Sequence, residues 1–119
     1  MAVKHIAFTV YPVKDMARAR RFYEKDLGLK LTLAAAQGRW VEYHLKNGAF
    51  ALTTMIEDAK PAAGSALAFE VDDVDKLFKR LRAKKVAVKM APFSTPVCRN
   101  AIIKDPEGEV LGGGMCYLA

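Results

Sequence analysis

The chain has 119 residues, 52% of them hydrophobic, with 19 Lys+Arg against 13 Asp+Glu for a formal charge of +6. That is the size of one ordinary domain with apolar material for a core, and no run reaches the ~18 apolar residues of a membrane helix. Most of the basic residues lie on two helix-like stretches rather than in a nucleic-acid motif, so nucleic acid is not an expected partner; the charge disfavours a cationic ligand and mildly favours an anionic one.

The opening MAVKHIAFTV lacks the plan of a secretory leader, and a cytoplasmic location is expected. Residues 2 to 11 alternate as a strand, with His5, Ala7 and Thr9 on one face and Ile6, Phe8 and Val10 on the other. PVKDMARARRFYEKDLG predicts a helix. Met16, Ala19, Phe22, Tyr23 and Leu27 recur at helical spacing, and Gly28 ends it. LKLTLAAA predicts a strand and QG a turn. RWVEYHLK alternates Val41, Tyr43 and Leu45 against Trp40, Glu42 and His44. NG predicts a tight hairpin, and AFALTTM a fourth strand.

After the linker-like IEDAKPAAGS the pattern restarts. ALAFEV is a strand. DDVDKLFKRLRAKK is a helix capped by Asp72 or Asp73, with Val74, Leu77, Phe78 and Leu81 buried. VAVKM and VCRNAIIK are strands, and EVLGGGMCYL closes the chain after the turn DPEG. The chain thus reads as one α+β domain, 1–119, of two βαβββ modules: about 1–56 and about 65–119, joined by a linker of about 57–64. HIAFTVYPV matches ALAFEVDDV position for position, which sets His5 opposite Ala66. A half of this size cannot bury both faces of its sheet alone. The two open faces are expected to combine into an eight-stranded cup with the helices outside, within the chain or across a homodimer.

The paired modules, FYEKDLGLKL, FEVDDVD and DPEGEVL resemble, in this order and spacing, the vicinal oxygen chelate superfamily of glyoxalases, bleomycin-resistance proteins and extradiol dioxygenases. The resemblance spans essentially the whole chain. It implies a cleft for a small molecule and, in the enzymes, a divalent metal held by His, Glu or Gln from the first and last strand of each module. Carried over residue by residue, His5 matches, while Ala66, Gly112 and Leu52 (Ala51 if the register slips) do not. One imidazole does not hold a catalytic metal. No cofactor is therefore expected; a divalent metal rebuilt from His5, His44, Glu42 and Glu70 is the alternative.

Strand parity directs His5, Thr9, Ala66, Ala68, Glu70, Trp40, Glu42, His44, Asn100, Ile102 and Lys104 into the cup. His5 reads as a hydrogen-bonded strand histidine, as a ligand or proton-transfer group, or as a metal ligand. Paired with Glu70 or Glu42, it forms a candidate acid–base catalyst. The simpler reading of Glu70 is a rim charge paired with Lys or Arg. Trp40 is a stacking wall for a flat ligand or a packed side chain. If DPEG pairs 105 with 109, Cys98 lies opposite Cys116, both reduced and on the cup side. The candidate ligand set is His5, Thr9, Trp40, Glu42, Leu52, Glu70, Cys98, Asn100, Ile102 and Gly112. The expected function is binding of a neutral, aromatic or anionic small molecule without metal. The alternative is a lyase, isomerase or dioxygenase using His5 with a carboxylate or a non-standard metal.

Overall fold

The computed structural model describes residues 2–56, 66–106 and 115–119. The chain divides into two compact units, Met1–Ala59 and Lys60–Ala119. Each is a four-stranded sheet with one helix. The candidate site position Gly112 lies outside the described residues, as do Glu107 and Gly108 of DPEG, the rest of GGG and the linker 57–64.

Unit one runs β1 (Phe8–Pro12), α1 (Met16–Arg21), a π-helical turn (Phe22–Asp26), β2 (Leu33–Ala35), β3 (Trp40–Leu45) and β4 (Gly48–Thr53), with sheet order β1-β4-β3-β2. Asp15 caps α1 by accepting from the Arg18 backbone N–H at 3.0 Å. The helix then widens: the Leu27 N–H reaches Phe22 O at 3.0 Å, five residues back. Gly28, at φ +80°, turns the chain out where a side chain would be strained. The widened turn seats Phe22 and Tyr23, which are buried with Tyr11, Tyr43 and Phe50 in an aromatic core. Phe50 lies 5.3 Å from Tyr11 and 5.0 Å from Tyr23 between ring centroids. Edge-to-face pairs of this kind add about 0.5–1.5 kcal/mol each beyond area burial.

β1 starts six residues later than the sequence alternation suggests, and the reason is its partner. It pairs in parallel with β4, Phe8 opposite Ala49, and β4 itself begins at Gly48 after the two-residue loop Lys46–Asn47. Before Phe8 there is no ladder to join, and residues 2–7 run exposed. β2 is also shorter than LKLTLAAA. The Thr32 hydroxyl accepts the His44 backbone N–H at 3.0 Å, taking the place of a ladder carbonyl.

Unit two repeats the plan with β5 (Ala66–Phe69), α2 (Val74–Ala83), β6 (Val88–Ser94), β7 (Arg99–Lys104) and β8 (Met115–Leu118), in order β5-β8-β7-β6. Asp73 caps α2 through the Lys76 N–H at 3.0 Å. Val74, Phe78 and Leu81 bury the helix stripe, and Ala101, Ile103, Cys116 and Leu118 are buried in the sheet.

Equivalent bonds fix how the modules correspond. Asp15 and Asp73 are the two N-caps. The Val13 N–H bonds Thr53 O at 2.8 Å, and the Val71 N–H bonds Ala119 O at 2.8 Å. Tyr11 pairs with Leu52 and Phe69 with Leu118. FTVYPVKD therefore matches ALAFEVDD, and the residue equivalent to Ala66 is Phe8. The expected match of His5 to Ala66 is corrected by three residues.

Candidate functional site

Directly paired strand residues share a face, so the register assigns faces without further assumption. Tyr43 bonds Glu24 of the π-helical turn, its phenol donating to Oε2 at 2.8 Å, which marks its face as the helix side. Val41, Phe50, Leu52, Thr9 and Tyr11 share that face. The open face carries Phe8, Val10 and Pro12 on β1, Ala49, Ala51 and Thr53 on β4, and Trp40, Glu42 and His44 on β3.

This reverses part of the expected site. Thr9 and Leu52 face the helix, and Leu52 is fully buried there. Ala51, the register alternative, stands on the open face opposite Glu42. Phe8, expected under the helix, stands on the open face with its ring 5.7 Å from Trp40, edge to face. His5 lies in the exposed stretch before β1 rather than in a strand.

Trp40, Glu42 and His44 lie where alternation puts them, and they bond to one another. The Trp40 indole N–H donates to Glu42 Oε2 at 2.7 Å, and His44 Nε2 meets Glu42 Oε1 at 2.8 Å. The His44 bond, and next the Trp40 bond, hold the Glu42 carboxyl below the usual carboxylate range. Both oxygens are engaged, so the carboxylate is fixed in position between an aromatic ring and a base.

On the other face Glu24 accepts from Arg20 Nε at 2.6 Å as well as from Tyr43. Burial, then the Glu24 bond, pushes the Tyr43 phenol well above its ordinary range. This pair ties the π-helical turn to the sheet beneath it.

In unit two Asn100 and Ile102 alternate with Arg99, Ala101 and Ile103. Arg99 reaches Asp75 of α2 at 2.8 Å, which sets its parity on the helix side as a rim ion pair and leaves Asn100 and Ile102 on the open face with Tyr117. The Asn100 amide donates to Cys98 O at 3.3 Å. Glu70 is exposed just beyond β5. The cysteines do not face each other. β7 and β8 pair Ile103 with Cys116, so Cys116 is buried on the helix side while Cys98 is exposed before β7. The assumed pairing of 105 with 109 gives way to another register, in which Lys104 pairs with Met115.

A metal held in the family manner needs donors on the first and last strands. β1 (FTVYP), β4 (GAFALT), β5 (ALAF) and β8 (MCYL) contain no His, Glu or Gln, so these strands do not fit such a metal. Among the described residues, no three His, Cys, Asp or Glu side chains are grouped to hold an ion.

A doubled βαβββ unit whose first and last strands pair in parallel defines a class of paired-module proteins. Within it, the chain belongs to the Glyoxalase/Bleomycin resistance protein/Dioxygenase superfamily, whose family model matches residues 3–111. Among solved structures it is similar to TnmS3, an antibiotic binding protein from Streptomyces sp. CB03234, at 29% identity and TM-score 0.80 over 99% of this chain and 96% of that one. A glyoxalase/bleomycin resistance protein from the same organism matches at 29% identity and TM-score 0.75, covering 94% of this chain and 96% of that one. Lactoylglutathione lyase from Agrobacterium tumefaciens shares the fold at 20% identity and TM-score 0.72, over 99% and 94% of the two chains. No protein of curated function matches the chain in sequence.

Proposed function

We propose that the chain is a metal-independent small-molecule-binding protein that holds a neutral, aromatic or anionic ligand against its open sheet faces, in a cleft completed by a homodimer. The observation that carries this reading is the likeness to an antibiotic binding protein across almost the full length of both chains. Two features support it. The strands that would supply metal donors in the family manner carry no His, Glu or Gln. The single Trp40 stands half-buried on an open face beside Phe8, where a flat ligand can stack. The net charge of +6 argues against cationic ligands.

Trp40 is also the reporter for the test. Titration with a panel of flat aromatic compounds should quench its emission saturably at one ligand per chain, in the presence of a chelator, and Trp40→Phe, read by calorimetry, should weaken the tightest ligand about tenfold, the worth of a stacking contact. Binding that appears only after zinc, nickel, manganese or ferrous iron is added would sink the metal-independent reading.

A further inference from the structure

The polar row on β3 has a chemistry of its own. Glu42 receives Trp40 Nε1–H on one oxygen and His44 Nε2 on the other. Both contacts favour the ionised carboxylate, and an ionised carboxylate accepts only. The proton in the Glu42–His44 bond therefore belongs to Nε2. A neutral imidazole carries one N–H, so with Nε2 donating to Glu42 the Nδ1 of His44 presents a lone pair. The His44 side chain is 52% exposed, which leaves it open to an incoming group. The strands beside the pair bring Leu33, Ala49 and Ala51, all apolar; Lys46 follows in the hairpin loop. Trp40 and His44 are four residues apart on one strand, about 13 Å of backbone, and Glu42 draws both side chains inward.

We propose that this row recognises flat aromatic ligands bearing an acidic hydroxyl, the ring lying along Trp40 and Phe8 and the hydroxyl giving its proton to Nδ1 of His44. The ligand O–H bond breaks, an Nδ1–H bond forms, and the electron pair stays on the ligand oxygen. The imidazolium then sits between two anions, the ligand oxygen and Glu42, and nothing is oxidised or reduced. This inference rests on the reading of the chain as a small-molecule binder and names the chemical class that module one selects. A ligand of naphthalene size or larger spans from the rings to the base.

Two probes of matched shape test it: 4-nitro-1-naphthol, whose anion has its own visible band, and 1-nitronaphthalene, which has no hydroxyl. Both are titrated against wild type, His44→Gln and Glu42→Gln, following Trp40 quenching. Gln at position 44 keeps a donor for Glu42 but offers no basic nitrogen. Wild type should bind the naphthol about tenfold more tightly than the nitronaphthalene, as a charge-assisted hydrogen bond implies. The anion band should appear at a pH where free naphthol is still neutral. His44→Gln should abolish the band and the preference for the naphthol, and Glu42→Gln should shrink the preference. Equal binding of the two probes by wild type, or a preference that survives His44→Gln, overturns the inference and leaves the binding reading intact. Binding of neither probe also overturns it, and the panel titration then decides the reading alone.

Discussion

Tyr43 shows how much one hydroxyl can fix. Its ring is buried against Phe50 and its phenol donates to Glu24, which in turn accepts from Arg20. Removing the oxygen leaves the packing in place and deletes one hydrogen bond to a charged acceptor, worth about 1.5–3 kcal/mol. Glu24 keeps Arg20, so the loss belongs at the low end of that range. Tyr43→Phe should therefore lower the unfolding free energy measured in urea by about 1.5 kcal/mol without changing the slope. A loss near zero would mean that the Glu24 bond does not hold the π-helical turn to the sheet. Glu42, on the opposite face of the same strand, is held by Trp40 and His44 instead. Alternation along β3 assigns both residues from the sequence, because period two on a strand with one buried face leaves no other choice.

At the scale of elements, the helix ends are the parts most directly written in the residues. Asp15 and Asp73 cap, and Gly28 stops, as their chemistry requires. No atom lies within 4 Å of a methyl group placed on Gly28, so Gly28→Ala tests the backbone alone. It should cost about 1 kcal/mol, the strain of a left-handed L-residue, read as a lower thermal midpoint; an unchanged midpoint would mean that the turn relaxes away from positive φ. Strand limits and registers are less legible. HIAFTVYPV and ALAFEVDDV match well as apolar patterns, yet the match is three residues out, since apolar alternation repeats and caps and ladder bonds do not. The same offset puts Thr9 and His5 in the expected site and leaves Phe8 out of it. The residues do carry a usable signal: aligning Val13-Lys14-Asp15 with Val71-Asp72-Asp73 by their cap residues puts Phe8 at the strand start. Leu52 and the two cysteines are misplaced for a different reason, a pairing register between distant segments, which no local pattern specifies.

For the whole molecule, the proposed homodimer has a physical motive. Unit one leaves Phe8 and Leu33 exposed at 46% each on its open face, and β6 exposes Val88 and Met90. Apolar area of this kind favours association. Light scattering on the eluting protein should give twice the single-chain mass at micromolar concentration, and a single-chain mass there would overturn the dimer. Because the interaction is apolar, added salt should not dissociate it. The parallel pairing of each unit's first strand with its last, β1 with β4 and β5 with β8, has another consequence. Every described strand pairing closes within one unit, so a cut anywhere between Ile56 and Ala66 severs no ladder. A gene for this chain split within residues 57–65 would give two half-genes, each carrying every strand of one described sheet, so that one half can be exchanged while the other is kept.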